Sequence, residues 1–369
     1  MNSPNSSAAR RLASLRAGLA ELDLHGLLVS HNANVRYLTG FTGSNGWLLL
    51  DHGQAIFVTD GRYEEQAEGE LAADVDFELV VLRDEFIKRL AERAGREFTG
   101  RRVGFEGPHL SYGNWARLEE NGEDVAWTAV SGVVEDLRIA KDEVELAAIR
   151  KAGAIAANAL HDTLALVEPG MREVDIASEL DYRMRRLGAE GPAFETIVAS
   201  GERTALPHAA TSERSVGEGD FLLCDFGARW DGYCSDVSRT FVVGEPRARQ
   251  SEIYDVVLEA QAAARAALRE GVTGADVDAA ARDVFAARDL EERFLHSTGH
   301  GLGLEVHEDP RLAKRSERRL EANMVVTVEP GLYFSGWGGV RIEDDLVVTR
   351  EGAEALVELQ SDRLLSLPL

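Results

Sequence analysis

The chain has 369 residues, of which 44% are hydrophobic, and it carries a formal net charge of −24. A chain of this length can bury one or two ordinary cores, so we expect a globular protein of about two domains. The negative charge argues against binding to nucleic acid or anionic lipid, because both are bound through clustered Lys and Arg side chains. No apolar run reaches the length of a signal peptide or a membrane span, which predicts a cytoplasmic protein.

Short apolar runs alternate with helix-like stretches from Leu12 to about Ala129. The runs GLLVS, NGWLLL, AIFVT and ELVVL predict strands, and stretches such as GRYEEQAEGELAA predict helices. This alternation is typical of a mixed α/β domain. Near Glu135 the composition changes to a charged approach to a long Ala-rich helix. We therefore predict one domain over residues 1–134 and a second over residues 135–369.

The second domain contains the same series of predicted elements twice. The first predicts helices over residues 143–166 and 170–187, followed by the strand-rich segment GDFLLCDFGARWDGYCSDVSRTFVV. The second predicts helices over residues 252–269 and 271–288, followed by the strands in ANMVVTVEPGLYF and GGVRIEDDLVV. We therefore predict an internal duplication, with two related half-sites facing one pocket.

Two cysteines occur in the chain, Cys224 and Cys234, and they do not form a C-x-x-C pair. This spacing gives no support to a disulfide framework or to a zinc site made of thiolates. Any metal ion must therefore be held by carboxylates and imidazoles.

An acidic residue lies inside an apolar strand in the segment DFLLCDFG. Burying an unpaired carboxylate costs several kcal/mol unless a cation or hydrogen bonds compensate, so Asp225 needs a partner. The dipeptide Asp231-Gly232 predicts a two-residue hairpin turn. That turn sets Asp225 opposite Ser238 and leaves Asp236 two residues away on the same face. Two carboxylates therefore converge.

The second of the two similar series of elements repeats this pattern of acids beside apolar runs. Glu329 follows the apolar run MVVTV, and Glu343 ends VRIE, with Arg341 one alternation earlier on the same face. Four buried acids resist ionisation unless about four positive charges neutralise them, and two divalent ions supply that charge. We therefore predict a two-metal site with the ions roughly 3.5 Å apart, a geometry used for hydrolysis. Arg341 is equally well interpreted as an ion-pair partner of Glu343.

The stretch HSTGHGLGLEVHE carries three histidines, His296, His300 and His307. Glycines interrupt the helical spacing of a zinc-peptidase motif, so we expect a loop. The loop lacks the Lys-Ser/Thr of a phosphate-binding P-loop. His300 is the predicted metal ligand, because glycines on both sides let the backbone and a metal approach closely. One imidazole among oxygen donors suits Mn²⁺, Co²⁺, Fe²⁺ or Zn²⁺.

Together these residues resemble the pita-bread metallopeptidases, and within them the Xaa-Pro group of aminopeptidase P and prolidase. The family's D-x-G…D hairpin, G-H-G loop, E-P-G strand and R-x-E-D strand all have counterparts here, and the resemblance covers nearly the whole chain. NANVRYLTGFTGSNG also resembles the creatinase-type domain of Xaa-Pro peptidases. The resemblance implies an α/β protein with an N-terminal creatinase-like α/β domain and a C-terminal pita-bread α+β catalytic domain with a pseudo-two-fold repeat.

The resemblance also implies two divalent metal ions, with Mn²⁺ as the first choice and Co²⁺ or Zn²⁺ as alternatives. The implied metal ligands are Asp225, Asp236, His300, Glu329 and Glu343. The implied catalytic residues are His208, His307, Glu329 and Arg341. The implied substrate-binding residues are His208, His296, His307 and Tyr333.

The activity implied by the resemblance is hydrolysis of the peptide bond that precedes proline, with release of the N-terminal residue, as in aminopeptidase P. The expected partners are a proline-containing peptide substrate and a second copy of the chain in a homodimer. Two alternatives stay open. One is a prolidase, which accepts only Xaa-Pro dipeptides. The other is a non-enzymatic pita-bread binding protein, against which the intact ligand set argues.

Overall fold

The computed structural model of the protein describes residues 7–357, 359 and 362–368. The described residues form two compact units that divide between Arg138 and Ile139. Our boundary between residues 134 and 135 stays a prediction for the limits of independently folding domains. Of the helices described, none combines the length and the apolar character that a membrane span requires.

The described residues of the first unit form a six-stranded mixed sheet and six helices. The helices are α1 (Ser7–Glu21), α2 (Asn32–Thr39), α3 (Glu64–Glu70), α4 (Phe86–Glu97), α5 (Tyr112–Asn121) and α6 (Glu135–Arg138). The strands are β1 (Gly26–Val29), β2 (Gly46–Asp51), β3 (Ala55–Asp60), β4 (Glu78–Leu82), β5 (Arg102–Glu106) and β6 (Ala126–Val130). Their order in the sheet is β4-β3-β2-β1-β5-β6.

The four apolar runs predicted as strands are β1 to β4, so this part of the sequence prediction is confirmed. Leu28, Leu49 and Val58 project from three neighbouring strands and share one buried cluster with Leu90 and Ala94 of α4. The sheet and the helix cover each other's apolar faces, which is the usual way an α/β unit builds a core.

The second unit holds four longer helices and fourteen short strands among its described residues. The helices are α7 (Glu143–Leu164), α8 (Glu173–Arg186), α9 (Ala248–Ala267) and α10 (Gly274–Ala286). The strands up to the middle of the unit are β7 (Gly191–Pro192), β8 (Ile197–Ser200), β9 (Phe221–Phe226), β10 (Ala228–Trp230), β11 (Tyr233–Cys234) and β12 (Val237–Val243). The later strands are β13 (Gly299–Gly301), β14 (Glu308–Leu312), β15 (Val325–Val328), β16 (Gly331–Phe334), β17 (Gly338–Arg341), β18 (Asp344–Val348), β19 (Ala353–Ala355) and β20 (Leu365–Leu367).

The two halves of the second unit share one order of elements. Helices α7 and α8 precede the antiparallel set β8-β9-β12, and helices α9 and α10 precede the antiparallel set β13-β15-β18. An isolated bridge joins Arg172 to Ser215 just before α8, and a matching bridge joins Thr273 to Arg319 just before α10. This is the arrangement that the predicted duplication requires.

Each pair of helices covers one face of its own strands. In the first half, Leu180 and Met184 of α8 pack in one cluster with Cys224 and Phe226 of β9. Successive side chains of a strand point to opposite faces, so Asp225 points away from the helices. In the second half, α9 and α10 pack against Val326 and Val328 in the same way.

Candidate active site

The first pair of acids lies on the hairpin predicted from the sequence. Asp231 and Gly232 have φ values of 48° and 77°, which is the left-handed pair that a two-residue turn between antiparallel strands demands. The register across β9 and β12 places Asp225 opposite Ser238. The prediction of this hairpin and its register is therefore confirmed.

The second pair of acids lies where one antiparallel ladder gives way to another. Val328 of β15 pairs with Asp344 of β18, and Gly331 of β16 pairs with Arg341 of β17. The same register, carried through the two residues between these pairs, sets Glu329 opposite Glu343. Both carboxylates are thus fixed by strand pairing on either side.

Hydrogen bonds join the two hairpins at the acids. The Glu343 amide donates to Ser238 O at 3.1 Å, and Ser238 Oγ donates to Glu343 Oε2 at 2.7 Å. The Asp236 amide donates to Asp345 Oδ2 at 2.9 Å. Carboxylates that are far apart in sequence therefore share one buried space.

His300 lies on a short strand and not on the loop that we predicted. Gly299–Gly301 forms β13, which pairs with β14 on one side and β15 on the other. A Cβ at Gly299 would lie 1.9 Å from Thr327 O, and one at Gly301 would lie 2.2 Å from Asp309 O. The loop prediction was wrong for residues 299–301, because these glycines admit the backbones of neighbouring strands.

Of the two ring nitrogens of His300, Nε2 is the one available to a cation. Its Nδ1 donates to Gly301 O at 3.0 Å, so the proton of the neutral ring is on that nitrogen. Burial lowers the pKa of His300 to about 3, which keeps the ring neutral. Its Nε2 then faces Glu329 Oε1 at 3.5 Å and Asp236 Oδ2 at 3.7 Å. A lone pair facing two carboxylates is unfavourable unless a cation lies between them.

The carboxyl groups show the same need for positive charge. Burial raises the pKa of Asp236 and of Glu329 well above the usual range, and the neighbouring Glu343 carboxylate raises both further. Burial together with the charge of Asp225 raises the pKa of Glu343 to about 8. Donor atoms of Asp236, His300 and Glu343 all lie within 4.8 Å of one another. This donor set of oxygens and one imidazole fits a divalent metal ion.

These groups line a cavity of 390 Å³ in the second unit. Its lining, taken from the described residues, includes every predicted site residue except Tyr333. The predicted residues that line it are His208, Asp225, Asp236, His296, His300, His307, Glu329, Arg341 and Glu343. Side chains that the sequence prediction missed complete the wall, among them Phe194, Glu195, Ile197, Val306 and Arg311. No pattern around these five residues marks them in the sequence, because nearby elements bring them to the cavity.

Tyr333 lies behind the cavity wall, where it supports two other residues. Its side chain is buried, its hydroxyl accepts from Arg341 at 3.0 Å, and the same hydroxyl donates to His296 Nε2 at 2.8 Å. His296 Nδ1 donates to Ser297 O at 2.8 Å. Burial lowers the pKa of His296 to about 4, so its ring is neutral with both nitrogens bonded inside the protein. The ring therefore offers carbon atoms to the cavity.

Arg341 forms its ion pair with Asp225, at 2.6 Å, and not with Glu343 as the sequence suggested. Its remaining donors bind Ser238 Oγ, Pro207 O and the Tyr333 hydroxyl. The side chain is 3% exposed. Arg341 therefore holds Asp225 in place and joins it to the segment that carries His208.

The fold and the site together define the class of this protein. Two matched halves enclose buried acids and one neutral imidazole, which is the arrangement of a pita-bread metallopeptidase. Residues 147–350 match the model of metallopeptidase family M24, and residues 11–140 match that of the creatinase/prolidase N-terminal domain. The chain belongs to metallopeptidase family M24. It is therefore an enzyme of a family that implies divalent metal ions, and the non-enzymatic alternative is set aside.

Several known proteins resemble the chain along most of its length. An uncharacterized peptidase of Bacillus subtilis, YqhT, is 43% identical, and the match covers 93% of this chain and 96% of the relative. A solved Xaa-Pro dipeptidase from Bacillus anthracis is 40% identical with a TM-score of 0.94, covering 98% of this chain and 100% of that one. A solved X-Pro aminopeptidase from Thermotoga maritima is 36% identical with a TM-score of 0.86, covering 93% and 97%.

Proposed function

We propose that this metallopeptidase hydrolyses the peptide bond preceding proline and releases the N-terminal residue from Xaa-Pro peptides. The observation that carries the proposal is the position of His300 Nε2 inside the cavity, 3.5 Å from Glu329 Oε1 and 3.7 Å from Asp236 Oδ2. Relatives named for both Xaa-Pro dipeptidase and X-Pro aminopeptidase activity support proline as the second residue of the substrate.

The proposed metal ligands are five residues from the two hairpins and β13. They are Asp225, Asp236, His300, Glu329 and Glu343. Mn²⁺ is our first choice, with Co²⁺ or Zn²⁺ as alternatives, because hard oxygen donors outnumber the single imidazole. Two bound divalent ions would supply charge neutralisation and Lewis-acid activation of water and carbonyl.

The side chains around the ligands have distinct proposed roles. Glu329 takes the proton from the attacking water and returns it to the departing proline nitrogen, a role that the resemblance to Xaa-Pro peptidases implies and its place on the cavity wall supports. His208 and His307 are exposed on the cavity wall and donate to the substrate oxygen that becomes negative. Arg341 fixes the orientation of Asp225.

His296 is the proposed wall of the proline subsite. Both of its ring nitrogens are already hydrogen-bonded to Ser297 and Tyr333, so the ring presents an apolar surface. The proline nitrogen of an Xaa-Pro bond carries no hydrogen, and its ring is apolar, so this subsite needs no acceptor. Tyr333 acts by holding His296 in this orientation.

A stricter dipeptidase is the second candidate, and Arg311 is the observation that favours it. Arg311 is exposed on the cavity wall beside His307, and it has no ion-pair partner among the described residues. In an Xaa-Pro dipeptide the proline carboxylate is free, whereas in a longer peptide it is part of an amide bond. A guanidinium in the wall can bind that carboxylate and favour the shorter substrate.

The proposed function predicts metal-dependent cleavage before proline. With added Mn²⁺ or Co²⁺, the purified protein is expected to release the N-terminal residue from Xaa-Pro-Yaa tripeptides as well as from Xaa-Pro dipeptides. Matched peptides with alanine in place of proline serve as the control and should remain intact. Release from dipeptides alone would favour the dipeptidase over the aminopeptidase. If neither peptide were cleaved, the proposed peptidase activity would be refuted.

Replacing Arg311 with alanine tests how the substrate carboxylate is bound. If Arg311 binds it, the variant should raise KM for Xaa-Pro dipeptides by roughly 10- to 100-fold, the value of a charge-assisted hydrogen bond. KM for a tripeptide amidated at its C-terminus should change less than about three-fold. Arg315→Ala is the matched control, since Arg315 is an exposed arginine four residues away that does not line the cavity. Equal effects on both substrates would argue against the assignment.

The assembly and the location of the protein are also proposals. A homodimer is proposed from the resemblance to Xaa-Pro peptidases alone. A cytoplasmic location is proposed from the composition of the sequence.

A further inference from the structure

His307 ends a segment that is not itself a strand, although its first two residues bond to neighbouring strands: the Leu302 amide donates to Val325 O at 3.1 Å, and Gly303 O accepts from the Cys234 amide at 2.8 Å. The segment runs from residue 302 to residue 307, between β13 and β14, and His307 is its last residue. The imidazole of His307 is exposed on the cavity wall, with its ring centre 4.4 Å from that of His300. Whatever sets the shape of this segment therefore sets the position of His307.

The carboxylate of Glu308, the next residue, lies at the centre of the segment. Glu308 Oε1 accepts from the Glu305 amide at 3.1 Å. A Cβ at Gly303 would lie 2.6 Å from Glu308 Oε2 and 2.8 Å from Oε1, so the carboxylate packs directly against the Gly303 backbone. The carboxylate of Glu308, whose side chain is 7% exposed, thus holds the segment at Gly303 and Glu305.

Lys141 supplies the cation for that carboxylate. Its Nζ lies 3.1 Å from Glu308 Oε2 and also donates to Ile139 O at 3.1 Å, and its side chain is 1% exposed. Its backbone is fixed independently, since its amide donates to Asn323 O and the preceding residue bridges Met324 at the start of β15. Removing one member of a buried ion pair takes away charge compensation from the other, which destabilises the structure locally.

We propose that Lys141 and Glu308 are positioning residues for His307. They join the start of β15 to the segment that ends at His307. In this way they fix the position in which the imidazole meets the substrate oxygen. The inference rests on the proposed function of His307 and adds to it the residues that fix its place. Neither residue lines the cavity, so both act through His307.

The effect of losing the pair should be confined to the segment. His300 is held separately, by its amide donating to Thr327 Oγ1 at 3.1 Å and by the pairing of Gly301 with Val326. The cluster of acids is held by the two hairpins. A variant of Lys141 should therefore keep its metal ions and lose turnover, because a shift of about 1 Å at a catalytic group costs as much as 100-fold.

The experiment is a double-mutant cycle between Lys141→Met and His307→Ala in the metal-loaded enzyme. Lys141→Met alone is expected to lower kcat for an Xaa-Pro peptide by roughly 10- to 100-fold with metal content unchanged. In the His307→Ala background the same change should lower kcat less than about three-fold, since the group that it positions is gone. Equal losses in both backgrounds would overturn the proposal.

Three further measurements protect the test against loss of folding. Glu308→Gln keeps an acceptor for the Glu305 amide and removes the charge. The double variant K141M/E308Q is therefore expected to be at least ten-fold more active than K141M. Glu308→Gln is also run through the cycle with His307→Ala, which measures the coupling even if Lys141→Met does not fold. Hydrogen exchange of the Gly303 and Glu305 amides should be faster in Lys141→Met, and unchanged exchange would contradict the proposal.

The failures of the two proposals can be told apart. A wild-type enzyme that cleaves no Xaa-Pro peptide refutes the proposed function. An active wild type with a slow His307→Ala variant, but with a wild-type rate in Lys141→Met, refutes the positioning pair alone.

Discussion

Asp236→Asn is expected to abolish peptidase activity and to lower metal content together. The substitution removes one negative charge from a buried cluster and leaves the size of the side chain unchanged. A metal ion contributes several kcal/mol to transition-state stabilisation, and about 4 kcal/mol corresponds to a loss of roughly 1,000-fold in rate. The measurements are kcat on an Xaa-Pro peptide and bound metal by elemental analysis.

The control for this prediction is Asp181→Asn. Asp181 is a half-buried carboxylate that accepts from Thr196 Oγ1 and does not line the cavity, so its variant should keep both metal and activity. The metal-free Asp236→Asn protein should melt no lower than the metal-free wild type at pH 8, because one repelling charge is gone. Full activity with full metal content in Asp236→Asn would refute the ligand assignment.

Removing the metal ions is expected to make the stability of the protein strongly dependent on pH. The pKa values of Asp236, Glu329 and Glu343 are raised in the metal-free fold, that of Glu343 to about 8. A carboxyl with a raised pKa binds more protons in the folded than in the unfolded chain. Its contribution to stability is therefore fully present below the unfolded pKa near 4 and is lost as the pH rises through the folded value.

The size of this effect follows from the shift of Glu343 alone. Its rise from the ordinary value of 4.5 to about 8 corresponds to a loss on the order of 5 kcal/mol between pH 4 and pH 8. Bound divalent ions supply the missing positive charge, so the melting temperatures of the Mn²⁺-loaded and chelator-treated proteins should diverge by roughly 10 °C as the pH rises from 5 to 8.

A variant tests whether the acids cause this divergence. Glu343→Gln removes the charge without changing the size of the side chain. The metal-free variant should melt close to the metal-free wild type at pH 5 and above it at pH 8. A chelator-treated wild type that is as stable at pH 8 as at pH 5 would contradict the prediction.

The sequence determined the first half of the site because its geometry is local. The Asp231-Gly232 turn needs two residues with positive φ, and once it is placed, strand alternation fixes Asp225 opposite Ser238. The placement of the second pair, Glu329 opposite Glu343, follows from the same strand alternation, applied to strands that a longer connection joins. In both cases an acid within an apolar run signalled burial.

The glycines around His300 show where the sequence prediction ended. They mark a place where something must approach the backbone closely, but they do not say what. The structure shows that it is the backbone of the adjoining segments, at Thr327 and Asp309, so residues 299–301 form a strand between two others. Pairing between segments distant in sequence decided this, and no local pattern records it.

What the sequence by itself determined was the content of this protein: an α/β first domain, a duplicated second domain, and the acids and imidazole that suit a divalent metal. The tertiary structure decided the partners. It paired Arg341 with Asp225 in an ion pair, placed Tyr333 behind His296, and brought Arg311 to the cavity. It also joined Lys141 to Glu308 across the fold. Periodicity and turn chemistry act over a few residues, whereas an ion pair in a packed interior depends on which distant segments meet.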